Sequence, residues 1–106
     1  MANLVKLVFT VPESHAELTR QAVGDAGGGA IGNYTHCSFS VKGIGRFVPR
    51  NGAHPAIGTV DTPEVVEEER VEITCEQANL PQIISALRKA HPYEEPAIDI
   101  YPLIDA

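Results

Sequence analysis

Aromatic residues are scarce in this sequence: it has no tryptophan, three phenylalanines and three tyrosines. Since hydrophobic residues still make up 43% of the chain, an aliphatic core is expected. That share is too high for a disordered chain. A length of 106 residues leaves room for one core, so we expect residues 1–106 to form a single domain.

Long apolar runs, an excess of basic charge and abundant cysteine are also missing. The apolar runs are strand-length and no signal-like segment opens the chain, so we expect a cytoplasmic protein that does not associate with membranes. A formal net charge of -6 opposes the basic footprint of nucleic-acid binding, which is not expected. In a Cys-poor cytosolic chain, Cys37 and Cys75 are expected to be reduced thiols and small core residues.

Hydrophobic patterning indicates a strand followed by a helix in the first quarter of the chain. Residues 4–11, LVKLVFTV, are apolar and β-branched, which predicts a central strand buried on much of both faces. Residues 13–25 carry a modest apolar stripe at helical spacing and predict a helix. The glycines at 27–29 are expected to end that helix.

The middle of the chain predicts a half-exposed strand and then an irregular loop. Residues 34–41 alternate, so that His36 and Cys37 are expected on opposite faces of a strand. Glycines and prolines punctuate the stretch 43–58, which predicts a short strand near 46–48 and otherwise loop. This stretch does not match a phosphate-binding glycine motif.

The last third predicts a strand, a helix and a final strand. Residues 65–76 alternate, and their parity places Glu69 on the apolar face. A helix is expected over 80–91, ended by the proline after it, and a last strand, at a sheet edge, over 97–104. The element order predicts an α+β, ferredoxin-like βαββαβ sandwich, with an antiparallel sheet and both helices on one face. The two-sided apolar first strand predicts that another copy or domain covers the other face.

The run His91-Pro92-Tyr93-Glu94-Glu95-Pro96 is the most distinctive motif. HPYEEPA after an amphipathic helix resembles the HPYE-type motif of CutA proteins. GNYTHCSFSVKGIGRFVPRNGAHPAIG together with VEEERVEI resembles the PII/CutA-like insert of Nif-three-like proteins, including YqfO-type members. The resemblance covers almost the whole chain and implies a PII/CutA-like fold and a homotrimer. It transfers no catalytic residue, because the dinuclear metal site of those proteins lies on flanking domains that this sequence lacks.

An inward-facing carboxylate must be paired or titrate abnormally, so Glu69 is either a structural ion-pair partner of Arg46 or Arg70 or part of a site near the HPYEEP run. Together with that run, it gives the predicted ligand-binding residues: Glu69, His91, Tyr93, Glu94 and Glu95.

Imidazole, thiolate and carboxylate groups suit zinc or copper, so a divalent metal or copper is the expected type of cofactor, without a specified identity. For His91 the alternative is a helix C-terminal histidine that bonds the last carbonyl groups. The predicted metal-binding residues are His36, Cys37, His91 and Glu94.

The sequence thus predicts a non-catalytic small-ligand or metal-responsive regulatory module that acts as a homotrimer. One alternative is an interaction domain that has no ligand and docks on a protein partner. The other is a metal-dependent hydrolase of the Nif-three-like kind, which the missing flanking domains disfavour. No nucleic-acid or membrane partner is expected.

Overall fold

The structure, a computed structural model, describes residues 3–104. The elements are β1 (Leu4–Pro12), α1 (Glu13–Asp25), β2 (Phe39–Phe47), β3 (Glu64–Glu76), α2 (Leu80–Ala90) and β4 (Ile98–Pro102). A short 3-10 turn at Gln77–Asn79 precedes α2. The sheet has the strand order β2-β3-β1-β4, and all three pairings are antiparallel.

This architecture confirms the ferredoxin-like α+β fold, with β1 in the interior of the sheet and β4 at one edge. Helix α1 has the expected bounds. Helix α2 ends one residue before its expected end, because His91 precedes a proline and is extended, with φ −73° and ψ 134°. Within residues 3–104, no helix is long and apolar enough to cross a membrane.

The aliphatic core lies between the helices and one face of the sheet. It is built from alternate residues of β1 and β3 and from one side of each helix. Cys75 belongs to it, and burial raises the pKa of its thiol. The buried apolar members are Val5, Leu7, Phe9, Val11, Ala16, Val23, Val71, Ile73, Cys75, Ile83 and Leu87.

The opposite face of the sheet, which we call the open face, is more polar than expected. Along β1 it carries Leu4, Lys6, Val8, Thr10 and Pro12, so apolar residues are interrupted by Lys6 and Thr10. The Lys6 ammonium donates a hydrogen bond to the hydroxyl of Thr74 on β3, at 3.0 Å. No residue of β1 is exposed, so the expectation of a central strand buried on much of both faces is confirmed. Lys6 and Thr10 nevertheless make its second face partly polar.

The expected strand over 34–41 overlaps the observed strand only at 39–41, and the expected break at the following glycines was wrong. The observed strand β2 begins at Phe39 and runs through Gly43 and Gly45 to Phe47. It pairs along its whole length with the 13-residue strand β3. The hydrogen bonds to this long neighbour offset the low strand propensity of glycine.

Candidate functional site

The HPYEEP segment crosses from the end of α2 to the open face, and His91 fixes its path. His91 Nε2 donates a hydrogen bond to the carbonyl oxygen of Thr10 at 2.7 Å, and the amide of Tyr93 donates one to Nδ1 at 3.1 Å. A carbonyl can only accept and an amide N–H can only donate, so the ring is the neutral Nε2–H tautomer. Burial lowers the pKa of His91, which also favours the neutral ring. Both ring nitrogens are occupied by the protein itself.

Tyr93, which His91 holds in place, reaches over the open face to Glu68. The Tyr93 hydroxyl donates a 2.7 Å hydrogen bond to Glu68 Oε2, and its ring packs edge-on against Phe47 with 5.6 Å between centroids. Glu68 is only 6% exposed, although it carries a carboxylate. Burial and the adjacent Glu68 both raise the pKa of the Tyr93 phenol, so the hydroxyl stays protonated and keeps donating.

The connection between β2 and β3, residues 48–63, is tied to the same segment through Glu94. The Glu94 carboxylate accepts a 2.8 Å hydrogen bond from the amide of His54. Gly52 and Gly58 have φ values of 97° and 98°, a conformation that favours glycine and lets this connection turn sharply. The tie by Glu94 places this connection beside the HPYEEP segment.

A cavity of about 560 Å³ lies between this connection, the end of β2 and the HPYEEP segment. Its volume falls within the about 300–1,000 Å³ typical of small-molecule sites. Most of its lining is aliphatic or aromatic, with a few charged groups among them. The lining residues are Thr10, Ile44 to Arg50, Ala53, Pro55, Ala56, Ile57, Glu68, Tyr93, Glu94, Glu95 and Ala97.

Three of the five predicted ligand-binding residues, Tyr93, Glu94 and Glu95, line this cavity. His91 does not line it and acts behind Tyr93, as a positioning residue.

Glu69 lies elsewhere: as its parity predicted, it faces the helices, and there it pairs with Arg20 of α1 at 2.6 Å. The expected partners of Glu69 on the strands, Arg46 and Arg70, were wrong because the nearest cation comes from the helix packed above it. Arg70 instead bonds Glu72 on its own strand.

His36 and Cys37 lie at the other end of α1 from the cavity. His36 is not in a strand: its φ is 59°, and its ring packs against Gly24 and bonds the Asp25 carboxylate at 2.9 Å. That hydrogen bond is the main reason why the pKa of Asp25 is lowered. Cys37 is half-buried and lies outside the core, contrary to expectation. Its backbone amide donates a hydrogen bond to the carbonyl oxygen of Gly29.

The four predicted metal donors are not brought together. His36 lies beside Asp25 at the end of α1, whereas His91 lies near the start of that helix. Helix α1 rises about 1.5 Å at each of its twelve residue-to-residue steps, so its two ends are about 18 Å apart. Among residues 3–104, no three His, Cys, Asp or Glu side chains are grouped so that they could hold a metal ion.

Glu68 is the site residue that sequence reasoning missed. The parity that turns Glu69 toward the helices turns Glu68 toward the open face, so the alternation of β3 already contained the signal. The sequence did not show that Tyr93 would cross over to cover it.

The fold is PII/CutA-like, as comparison with solved structures confirms. CutA1 from Shewanella sp. SIB1 superposes with a TM-score of 0.71 at 18% identity, covering 99% of this chain and 85% of that one. The GlnK–ATP complex of Bacillus subtilis superposes with a TM-score of 0.64 at 13% identity, covering 97% and 84%. At these identities the likeness concerns the fold.

More specifically, the chain is similar to a segment of Nif-three-related proteins. A Bacillus cereus protein related to NIF3 superposes with a TM-score of 0.84 at 45% identity, covering 98% of this chain and 26% of that protein. A Mycobacterium bovis protein named GTP cyclohydrolase 1 type 2 homolog is 50% identical over 103 residues, 97% of this chain and 27% of that protein. The chain thus spans about a quarter of the length of these relatives. No family model matches it.

Proposed function

We propose that this domain is a non-catalytic binding module that holds a small organic ligand in the cavity beside the HPYEEP segment. The observation that carries the proposal is the cavity itself, with mainly apolar walls and a few charged groups. Such a combination is typical of small-molecule sites, where apolar surface supplies affinity and a few polar groups fix orientation. The tie from Glu94 to His54 links the two walls, so that a ligand would touch both at once.

Binding without turnover is the better account of this cavity. Its lining includes no histidine and no cysteine, the usual general bases and nucleophiles. Tyr93 is held protonated beside a carboxylate, which suits a hydrogen-bond donor better than a base. The activity named for the longer relatives is not assigned to this segment, which spans about a quarter of them.

We further propose that the module self-associates as a homotrimer. Two apolar side chains on the edge strand β2 stay exposed on the open face, Phe39 at 63% and Val41 at 47%. Tyr101 on the opposite edge strand, β4, is 47% exposed on the same face. Pairing of one edge of the sheet with the other edge of the next copy would form a closed ring. Light scattering tests this: a mass near three times 11.4 kDa supports the trimer, and a monomer at micromolar concentration removes it.

Ligand binding itself is tested by amide NMR of the isotope-labelled protein with a fragment mixture. The proposal predicts perturbations confined to the lining of the cavity, that is to Thr10, Ile44–Ile57, Glu68 and Tyr93–Ala97. The matched control is Ala56→Trp, because this exposed residue lines the cavity and an indole there would occupy it. Binding that survives in this variant, or perturbations that map elsewhere, would argue for an interaction domain without a ligand at this site.

A metal-responsive role stays a prediction with its own measurement. Metal analysis of tag-free protein that finds stoichiometric zinc or copper would support it. Since the expected donors lie apart within one copy, any such site would have to form between copies or after rearrangement.

A further inference from the structure

We propose that the cavity selects ligands carrying a cationic nitrogen group, an ammonium or amidinium, on an apolar or aromatic body. This inference rests on the proposed binding function and adds the chemical class of the ligand. The feature that points to it is the buried carboxylate of Glu68, which lines the cavity with most of its acceptor capacity unused.

Glu68 receives one hydrogen bond from the residues that the structure describes, that of the Tyr93 hydroxyl to Oε2. A carboxylate can accept about four hydrogen bonds, and an ion removed from water destabilises the fold unless it is paired and bonded. No fully buried side-chain oxygen or nitrogen between residues 3 and 104 lacks a partner, so Oε1 is still reachable by solvent or ligand. Burial thus leaves this oxygen in need of a donor that the cavity can admit.

The neighbouring strand leaves room for that carboxylate. A β-carbon on Gly45 would overlap Glu68 Oε1, whereas a β-carbon on Gly43 would meet nothing within 4 Å. Glycine at position 45 therefore lets the Glu68 carboxylate lie against β2. The rings of Phe47 and Tyr93 stand beside it and supply the aromatic wall on which an apolar body can pack.

The cationic residues of the lining do not reverse this preference for a positive ligand. Arg50 lies 3.3 Å from the carboxylate of Asp61, and three quarters of its side-chain surface is exposed. Arg46 is exposed and pairs with Val65 of β3. Because Val65 and Glu68 are three residues apart on β3, they face opposite sides of the sheet, and Arg46 is therefore on the face away from Glu68. Glu95 adds a further exposed negative charge to the lining. The deepest charge is therefore negative.

Three ligands of nearly equal shape test this inference: benzamidine, benzamide and benzoate, titrated into wild-type protein and into Glu68→Gln by calorimetry and amide NMR. The amidinium presents two parallel N–H groups that match a carboxylate, the amide is neutral, and benzoate is repelled. We expect benzamidine to bind wild type most tightly and to lose at least about tenfold in affinity in Glu68→Gln, as expected for loss of one charge-assisted hydrogen bond. Glutamine keeps an acceptor for the Tyr93 hydroxyl, so this variant is expected to fold.

The outcomes separate this inference from the proposed function. If benzoate or benzamide bound in the cavity as tightly as benzamidine, or if Glu68→Gln bound benzamidine unchanged, the cationic preference would be wrong while the cavity remained a ligand site. If none of the three perturbed Thr10, Ile44–Ile57, Glu68 or Tyr93–Ala97 at millimolar concentration, both proposals would be contradicted.

Discussion

Replacing Tyr93 by phenylalanine removes one atom and with it the one hydrogen bond that residues 3–104 give the Glu68 carboxylate. A hydrogen bond to a charged group contributes about 1.5–3 kcal/mol to the free energy of unfolding. Because Tyr93 is only half-buried, water can partly replace the lost donor, so we expect the lower value, about 1.5 kcal/mol. At a urea m-value of about 1.5 kcal/mol per molar, the midpoint should fall by about 1 M.

Urea unfolding followed by circular dichroism measures this shift, and Tyr34→Phe is the matched control. Tyr34 is 74% exposed, so the same chemical change there should leave the midpoint nearly unchanged. A Tyr93→Phe midpoint within about 0.2 M of wild type, or an equal loss in the control, would show that the Tyr93–Glu68 hydrogen bond does not stabilise the fold. A double-mutant cycle with Glu68→Gln should give a coupling free energy above about 0.5 kcal/mol, since the two groups touch.

Three further predictions concern the same cluster. Gly45→Ala should displace Glu68 and lower the free energy of unfolding by about 1–2 kcal/mol. At Gly43 a methyl group would meet open space, so Gly43→Ala should be neutral or stabilising by up to about 1 kcal/mol. Equal urea midpoints for the two variants would contradict the packing of Glu68 on β2. Burial lowers the pKa of His91 in the folded protein. The stabilisation that depends on the neutral ring should therefore be fully present above about pH 6.5 and decrease as the pH falls toward the lowered pKa. NMR titration of the His91 ring measures this pKa, and a value at or above about 6.5 would contradict the prediction. The pKa of Tyr93 is raised, so the stabilisation from its hydroxyl should persist up to about pH 10 and be lost as the pH rises further. The difference in phenolate absorbance between wild type and Tyr93→Phe should therefore rise only well above about pH 10. A rise at or below about pH 10 would contradict the role of Tyr93 as a hydrogen-bond donor.

Local patterning predicted most of the fold because periodicity and helix-stopping residues are local signals. The alternation of residues 65–76 and the proline after His91 located β3 and the end of α2 almost to the residue. Strand β2 was predicted with wrong bounds and an interruption, because its glycines are typical of loops. The pairing that overrides them comes from β3, which begins 17 residues after β2 ends. Local sequence patterns contain no information about that partner strand.

The sequence placed three residues of the candidate cavity, Tyr93, Glu94 and Glu95, and did not indicate the rest of its lining. The HPYEEP run does contribute Tyr93, Glu94 and Glu95 to a cavity, whereas Glu69 turned out to pair with Arg20, 49 residues away in sequence. Which of two adjacent glutamates meets Tyr93 depends on which face the helices cover. The parity of the strand fixes the alternation, but only the packing of the helices says which face remains open for a site.

A crystal structure of the protein grown with benzamidine tests whether the cavity beside the HPYEEP segment holds a small ligand. We expect electron density for the ligand between Phe47, Tyr93 and residues 49–57, with an amidinium nitrogen within hydrogen-bond distance of Glu68 Oε1. A cavity free of ligand density, or closed by residues 49–57 packing directly onto Phe47 and Tyr93, would contradict ligand binding at this site.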